Sequence, residues 1–333
     1  MRAPASQQQV IISTFPPCRD GIARYADQQA RQLGSEVTRI GHPGSVADRT
    51  LRLSGWFRPL SLLRATRRND HLILHWHPAF FLVGRRPSRI LTWLSLAHVA
   101  RRRATTVVVH EPTVVKTRSE RRAAGHFWRS ARTVSFHSGA EQVRETERFP
   151  EIARRSVVIE HSAHFEPAAH VDQAEAREVL GLERDVAQLL CIGFLGRHKG
   201  FDRAVRAFAK LPPGAARLSV VGSILYDTPE LEQYVVELDD LVRRTPGAEL
   251  RRDYVSDECF DLWLRAADGV ILPYREISSS SVLARARIMG TPAIVTPVGA
   301  LPEQAGASDS IVESDEALLE AMANLLTARQ VSG

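Results

Sequence analysis

The chain has 333 residues, 44% of them hydrophobic and 25% charged, a composition typical of soluble globular proteins and a length that exceeds one ordinary core, so two domains are expected. Its net charge of +6 hides an asymmetry. Residues 1–166 hold 27 Lys and Arg against 13 Asp and Glu, a net of +14, while residues 167–333 hold 17 against 25, a net of −8. That contrast places a boundary near residue 166 and gives the halves different partners. The longest apolar run, HLILHWHPAFFLVG, is too short and too rich in histidine to span a bilayer, and the start MRAPASQQQVIISTF lacks a signal-peptide core. Cys18, Cys191 and Cys259 are far apart and lack metal-like spacing, which fits a reducing, cytoplasmic setting.

In chain order, QVIISTF reads as a strand, GIARYADQQARQLG as a helix ending at glycine, and VTRIG as a strand. LSLLRATRRND leads into the strand HLILHWH, and RILTWLSLAHVARRR leads into TTVVVH; TVSFHS and SVVIEHS follow. After a polar helical stretch at 172–181, the second half repeats the scheme. LLCIGFLG, FDRAVRAFAKL, RLSVVGS, DECFDLWLRAAD, GVILPY, VLARARIMG and PAIVTP alternate between strand and helix. Alternation in both halves predicts an α/β chain with parallel sheets and helices on both faces, hence two Rossmann-like domains. Ligands of such sheets bind beyond the carboxyl ends of the strands, so function is sought in the loops there.

Four loops carry chemistry. FPPCRDGIARY sets Gly21 before a helix whose amides could meet an anion, although a plain turn explains it as well. GFLGRHKGFDRAV sets Arg197 and Lys199 between glycines, as cations for a diphosphate or as an exposed basic turn. In YREISSSSVLARARIMG, Ser278 to Ser281 cap a helix starting near Val282 and leave amides for a phosphate, or serve as caps alone. In RRDYVSDECF, Tyr254 and Val255 end a strand where backbone groups could read a planar base, and an ordinary helix cap is the competing explanation.

Together, FPPCRDGIARYADQQARQL, VVVHEP, GFLGRHKGFDRAVRAF, RRDYVSDECFDLWLRAAD and GTPAIVTPVGALPE resemble, in order and spacing, glycosyltransferase family 4. The resemblance runs from about residue 11 to 305 and is strongest in the second half. It implies a GT-B fold, two Rossmann-like domains facing each other across a cleft. Residues 1–166 would bind the acceptor and residues 167–333 the nucleotide sugar. It implies a retaining, metal-independent transfer of a sugar from a nucleotide diphosphate to a hydroxyl on a glycan, a lipid-linked carrier or a small molecule, with no cofactor beyond the donor.

The resemblance also implies roles. Gly21 would lie near the donor phosphates, His110 would face the donor sugar, and Lys199 would grip the diphosphate with Arg197 beside it. Glu276, one residue out of place, would bond the sugar hydroxyls, and Tyr254 and Val255 would frame the base. The amides of Ser281 and Val282, with Ser278 and Ser280 nearby, would hold phosphate. Two positions depart from the pattern: the arginine five residues before the lysine falls on Phe194, and the second glutamate, a ribose ligand in the family, falls on Arg285. A donor lacking the 2′-hydroxyl would lose least by that change.

No Asp-x-Asp tripeptide occurs, so no metal is expected. Two rivals stand beside the transferase: a sugar-nucleotide epimerase, for which no carboxylate pair is well placed, and a non-catalytic relative that binds a sugar nucleotide or a partner protein. The basic half suits anionic membrane, with RPSRILTWLSLAHVARRR lying on the surface or, the favoured reading, buried against the first sheet. Nucleic acid is set aside, because the basic residues form no recognisable module with aromatics.

Overall fold

The computed structural model describes residues 8–225 and 227–332. The chain forms two compact units, the first ending at His164 and the second beginning at Phe165.

The first unit is built on β1 (Gln9–Ser13), β2 (Thr38–Gly41), β3 (Arg49–Thr50), β4 (His71–Trp76), β5 (Ala104–Val109), β6 (Thr133–Phe136) and β7 (Ser156–Val158). These seven strands are parallel in the order β3-β2-β1-β4-β5-β6-β7. The order reverses between β1 and β4, which makes the carboxyl edge there the expected ligand crevice. Central strands are covered on both faces, so they read as continuous apolar runs rather than alternating ones; Leu72, Ile73, Leu74, His75 and Trp76 are all buried.

Helix Arg86–Arg102 starts with Pro87 in its first turn and buries Trp93, Leu96, Ala97 and Val99. Trp93 stacks on Trp76 with ring centres 4.6 Å apart, and Trp128 and Phe127 of helix Arg118–Ser130 close the same aromatic core. This helix belongs to the interior of its unit, as the burial reading has it. Among the described residues no helix is long and apolar enough to cross a membrane.

His42, just past β2, is buried between the rings of Phe80 and Phe81, 4.9 and 5.4 Å away. Burial pushes its pKa down to about 4. Because the folded value lies below the unfolded one, the contribution is whole above about pH 6.5 and is lost as pH falls toward 4. The loss reaches about 3 kcal/mol by pH 4. Urea unfolding of His42→Leu is therefore expected to depend less on pH between 7 and 4 than that of the wild type; equal slopes would refute the assignment.

The second unit is built on β8 (Ala187–Ile192), β9 (Ala216–Val221), β10 (Ala248–Arg251), β11 (Gly269–Leu272), β12 (Ala293–Val295) and β13 (Ser310–Ile311). Its sheet is parallel in the order β10-β9-β8-β11-β12-β13, with the reversal between β8 and β11. Every residue of β8 is buried. Helix Phe201–Phe208 buries Phe201, Ala204, Val205 and Phe208 at helical spacing against this sheet. One boundary differs from expectation: β10 stops at Arg251, so Tyr254 and Val255 lie in the loop that leads to the helix capped by Ser256, whose hydroxyl accepts from the Cys259 amide at 3.2 Å.

Candidate active site

The carboxyl ends of β8 and β11, neighbours at the reversal of the second sheet, carry GRHKG and YREISSSS. Backbone and side chains tie the two loops together. The Arg275 amide donates to the His198 carbonyl at 2.8 Å, and the Arg275 guanidinium reaches the Arg197 carbonyl and both Asp202 oxygens, each at 2.8 Å. Partial burial works against the Asp202 charge, but hydrogen bonds from Arg275 and Arg206 outweigh it and hold the carboxyl at about 2. Gly200, in a left-handed conformation with φ 64°, sits so near the Pro273 carbonyl that an added Cβ would lie 2.1 Å from its oxygen. GRHKG is thus held against the end of β11 by its own backbone.

Lys199, half-buried, ends the single turn Arg197–Lys199, and its ammonium lies 4.0 Å from the centre of the buried Tyr274 ring. Arg197 goes elsewhere: its guanidinium pairs with Glu237 at 2.6 Å and covers the Tyr234 ring at 5.2 Å. The two cations therefore do not stand side by side. Glu276 is exposed, and its amide faces the His198 carbonyl at 3.4 Å. His198, exposed beside these loops, has its pKa lowered by partial desolvation and by Lys199, with Glu276 opposing.

Helix Ser281–Met289 begins beside this turn. Ser280 is buried and is the cap, its hydroxyl accepting from the Leu283 amide at 3.2 Å and its own amide donating to Gln304 at 2.7 Å. Its side chain is therefore committed to the helix end. The Ser278 carbonyl accepts from Ala300 at 2.8 Å, and an added Cβ on Gly299 would lie 1.9 Å from the Ile277 carbonyl oxygen. The segment GALPE thus clamps the serine loop, which explains why both occur together. The amides of Ser281 and Val282 lie in the first turn, where N–H groups have no partner within the helix and face the positive end of its dipole.

Arg285, read from sequence as the place of a missing ribose carboxylate, turns into the interior of the unit. It is 4% exposed, donates through Nε to Asp261 at 2.9 Å and through a second, shorter bond to the same oxygen, and lies 4.5 Å from the Phe260 ring. Tyr254 is exposed, and Val255 packs partly on the core.

In the first unit, Gly21 opens helix Gly21–Leu33, and the preceding Asp20 caps it by accepting from the Ala23 amide at 2.7 Å. His110 follows β5 and is buried, but its ring bonds to histidines rather than to backbone. Its Nε2 lies 3.0 Å from His75 Nδ1, and its Nδ1 lies 3.3 Å from His137 Nε2. Parallel order makes this cluster: β4 to β7 are adjacent, and His75, His110, His137 and His161 stand at or just past their carboxyl ends. The signal lay in HLILHWH, TTVVVH, TVSFHS and SVVIEHS, four strand ends in a row with a histidine. Tyr25 is buried and meets five imidazoles edge-on, at 5.1–5.6 Å between ring centres. Burial lowers the pKa of each of these rings, to about 3 for His75 and about 4 for His161, so they are neutral at pH 7.

Two parallel α/β units with loops of this kind at the second reversal define a GT-B protein. Residues 187–328, within the second unit, match the family described as glycosyl transferases group 1. It is 32% identical over 142 residues to a D-inositol 3-phosphate glycosyltransferase of Frankia alni, and 32% over 159 residues to D-inositol 3-phosphate glycosyltransferase 1 of Catenulispora acidiphila. The matches take in 39% and 44% of this chain but only 33% and 36% of those relatives, so the chain spans about a third of their length. Anabaena Alr3699/HepE, solved in complex with UDP, shares the fold at TM-score 0.76 and 14% identity, over 97% of this chain and 91% of that one. A glycosyltransferase from Rickettsia africae does so at 0.74 and 15%, over 97% and 89%.

Proposed function

We propose that the chain transfers a sugar from a nucleotide diphosphate to a hydroxyl acceptor, with retention of configuration. The observation that carries this reading is the placement of Lys199 and the first turn of helix Ser281–Met289 on adjacent loops at the carboxyl edge of one parallel sheet. A diphosphate there meets one ammonium and two backbone amides, donors arranged for the charge that develops on the departing group. Glu276, exposed on the same loop, is the carboxylate available to sugar hydroxyls, and Tyr254 on the neighbouring loop is available to a base. Positioning and charge stabilisation then do the chemistry, since the donor's own phosphate oxygen is basic enough to take the acceptor's proton as the new bond forms on the same face. The complexes of Alr3699/HepE with UDP and with UDP-glucose support a nucleotide-sugar donor. The D-inositol 3-phosphate enzymes support a polyol hydroxyl as the acceptor group.

Calorimetry of the purified chain with UDP, GDP, ADP and TDP, followed by slow hydrolysis assays with the matching sugar nucleotides, tests the proposal. Binding of at least one diphosphate together with turnover of its sugar ester is expected. Absence of both would overturn it, and binding without turnover across the whole panel would establish a non-catalytic sugar-nucleotide binder instead.

A further inference from the structure

We propose that His110, His137 and His161 form a binding site for a zinc-type divalent transition metal in the first unit. The proposal concerns the first unit and does not rest on the Lys199 loop of the second. It starts from three buried imidazoles, each offering a ring nitrogen, with all three nitrogens within 4.8 Å of one another. One of these spacings, His110 Nδ1 to His137 Nε2 at 3.3 Å, is what two nitrogens show when each sits ~2.0–2.1 Å from one tetrahedral cation.

Proton bookkeeping points the same way. Gln29 Oε1 faces His75 Nε2 at 2.9 Å, His75 Nδ1 faces His110 Nε2 at 3.0 Å, and His110 Nδ1 faces His137 Nε2. At the far end, His137 Nδ1 faces the Ile159 carbonyl at 3.3 Å. Both ends of this chain are acceptors. Four junctions each call for a proton, yet three neutral imidazoles carry only one apiece. If His75 gives its proton to Gln29, His110 gives to His75, and His137 gives to Ile159, then the lone pairs of His110 Nδ1 and His137 Nε2 point at each other. A cation between them resolves that conflict. Two of the three liganding rings then also have the outer hydrogen bond that metal-bound histidines ordinarily make: His137 to a backbone carbonyl, and His110 through His75 to Gln29.

Imidazole ligands without thiolate suit zinc, cobalt, nickel or copper rather than magnesium or calcium. Three protein ligands also leave a fourth position for water or a ligand hydroxyl. A metal-free arrangement that satisfies every junction inverts the Gln29 and Gln32 amides. Gln29 then donates to His75, accepts from His164 Nε2, and Gln32 donates to His164 Nδ1, reversing the bonds seen at 3.0 and 2.6 Å.

The test uses the full chain stripped of metal with a chelator and then titrated with Co2+ and Zn2+. One equivalent of Co2+ should bind with the visible absorption of a four- or five-coordinate site, and Zn2+ should displace it. His137→Asn and His161→Asn should each abolish that band, with circular dichroism confirming that the variants fold. Zinc-edge X-ray absorption of the loaded wild type should show three imidazole nitrogens and needs no variant. Failure of the folded, metal-free wild type to bind either ion would overturn the site and assign the inverted amides. Binding that survives in His137→Asn, or a zinc shell of carboxylate oxygen or sulfur, would overturn it as well.

Discussion

Replacement of Lys199 by alanine is expected to lower glycosyl turnover by about 10²-fold or more while leaving the fold intact. The ammonium lies on the Tyr274 ring, on the loop that GRHKG builds beside helix Ser281–Met289, whereas Arg197 is drawn off to Glu237 and Tyr234. The lost rate reflects charge that the ammonium would meet on the departing diphosphate. The cost to stability is small by comparison. The contact with the Tyr274 ring is worth about 0.5–2 kcal/mol, and the loop is held by Arg275 and Gly200 rather than by the lysine. Steady-state assays should place the loss mainly in kcat. Lys199→Arg should recover only part of it, because a planar fork does not occupy the position of a compact ammonium. A Lys199→Ala enzyme with near-normal turnover would remove the residue from the site.

The second large effect falls on stability. Arg285→Leu is expected to cost about 3–5 kcal/mol, because it leaves the Asp261 carboxylate buried without its cation. Asp261 is 1% exposed, and it also accepts from the Ala168 amide at 2.6 Å, a neutral donor that brings no counter-charge. Arg285→Leu combined with Asp261→Asn should regain most of the loss, since asparagine keeps an acceptor for Ala168 and carries no charge. Arg285→Glu, which would restore the carboxylate of the family pattern, should be worse than leucine, because it sets two carboxylates together in the interior. Urea unfolding of the four chains decides the matter. A single Arg285→Leu variant as stable as the wild type would show that the pair contributes nothing.

These two residues mark where reading residues in order succeeds and fails. Lys199 was legible because its surroundings are local: glycines on both sides, a strand before and an amphipathic helix after. Arg285 was visible as a departure, but its role was not, because the partner Asp261 lies on another helix and only folding brings them together. The histidine cluster failed for the same reason. Each strand-end histidine looks like an isolated residue, and only the adjacency of β4, β5, β6 and β7 places four of them side by side. His110 was singled out alone and turns out to be the middle of a chain. Four long helices, Arg118–Ser130, Gly139–Arg148, Pro229–Arg243 and Asp315–Ser332, also escaped the pattern of apolar residues, although Thr117 with Glu120 and Ser138 with Glu141 are capping signals that could have found two of them. Helix Arg118–Ser130 carries so many arginines that Ala123, Ala124, Phe127 and Trp128, its buried stripe, were masked.

By itself the sequence determined the alternation of strands and helices, the two-unit plan, and the loops at the carboxyl ends where donor chemistry is expected. Those properties follow from hydrophobic period, glycine placement and capping, all of which act over a few residues. Only the tertiary structure decided which side chains face one another: Arg275 on Asp202, Arg285 on Asp261, Arg197 on Glu237, and the imidazoles of the first unit. Strand order and burial set those pairings, and with them the charge state of every buried group, because desolvation and partner distance exist only once distant segments are packed together.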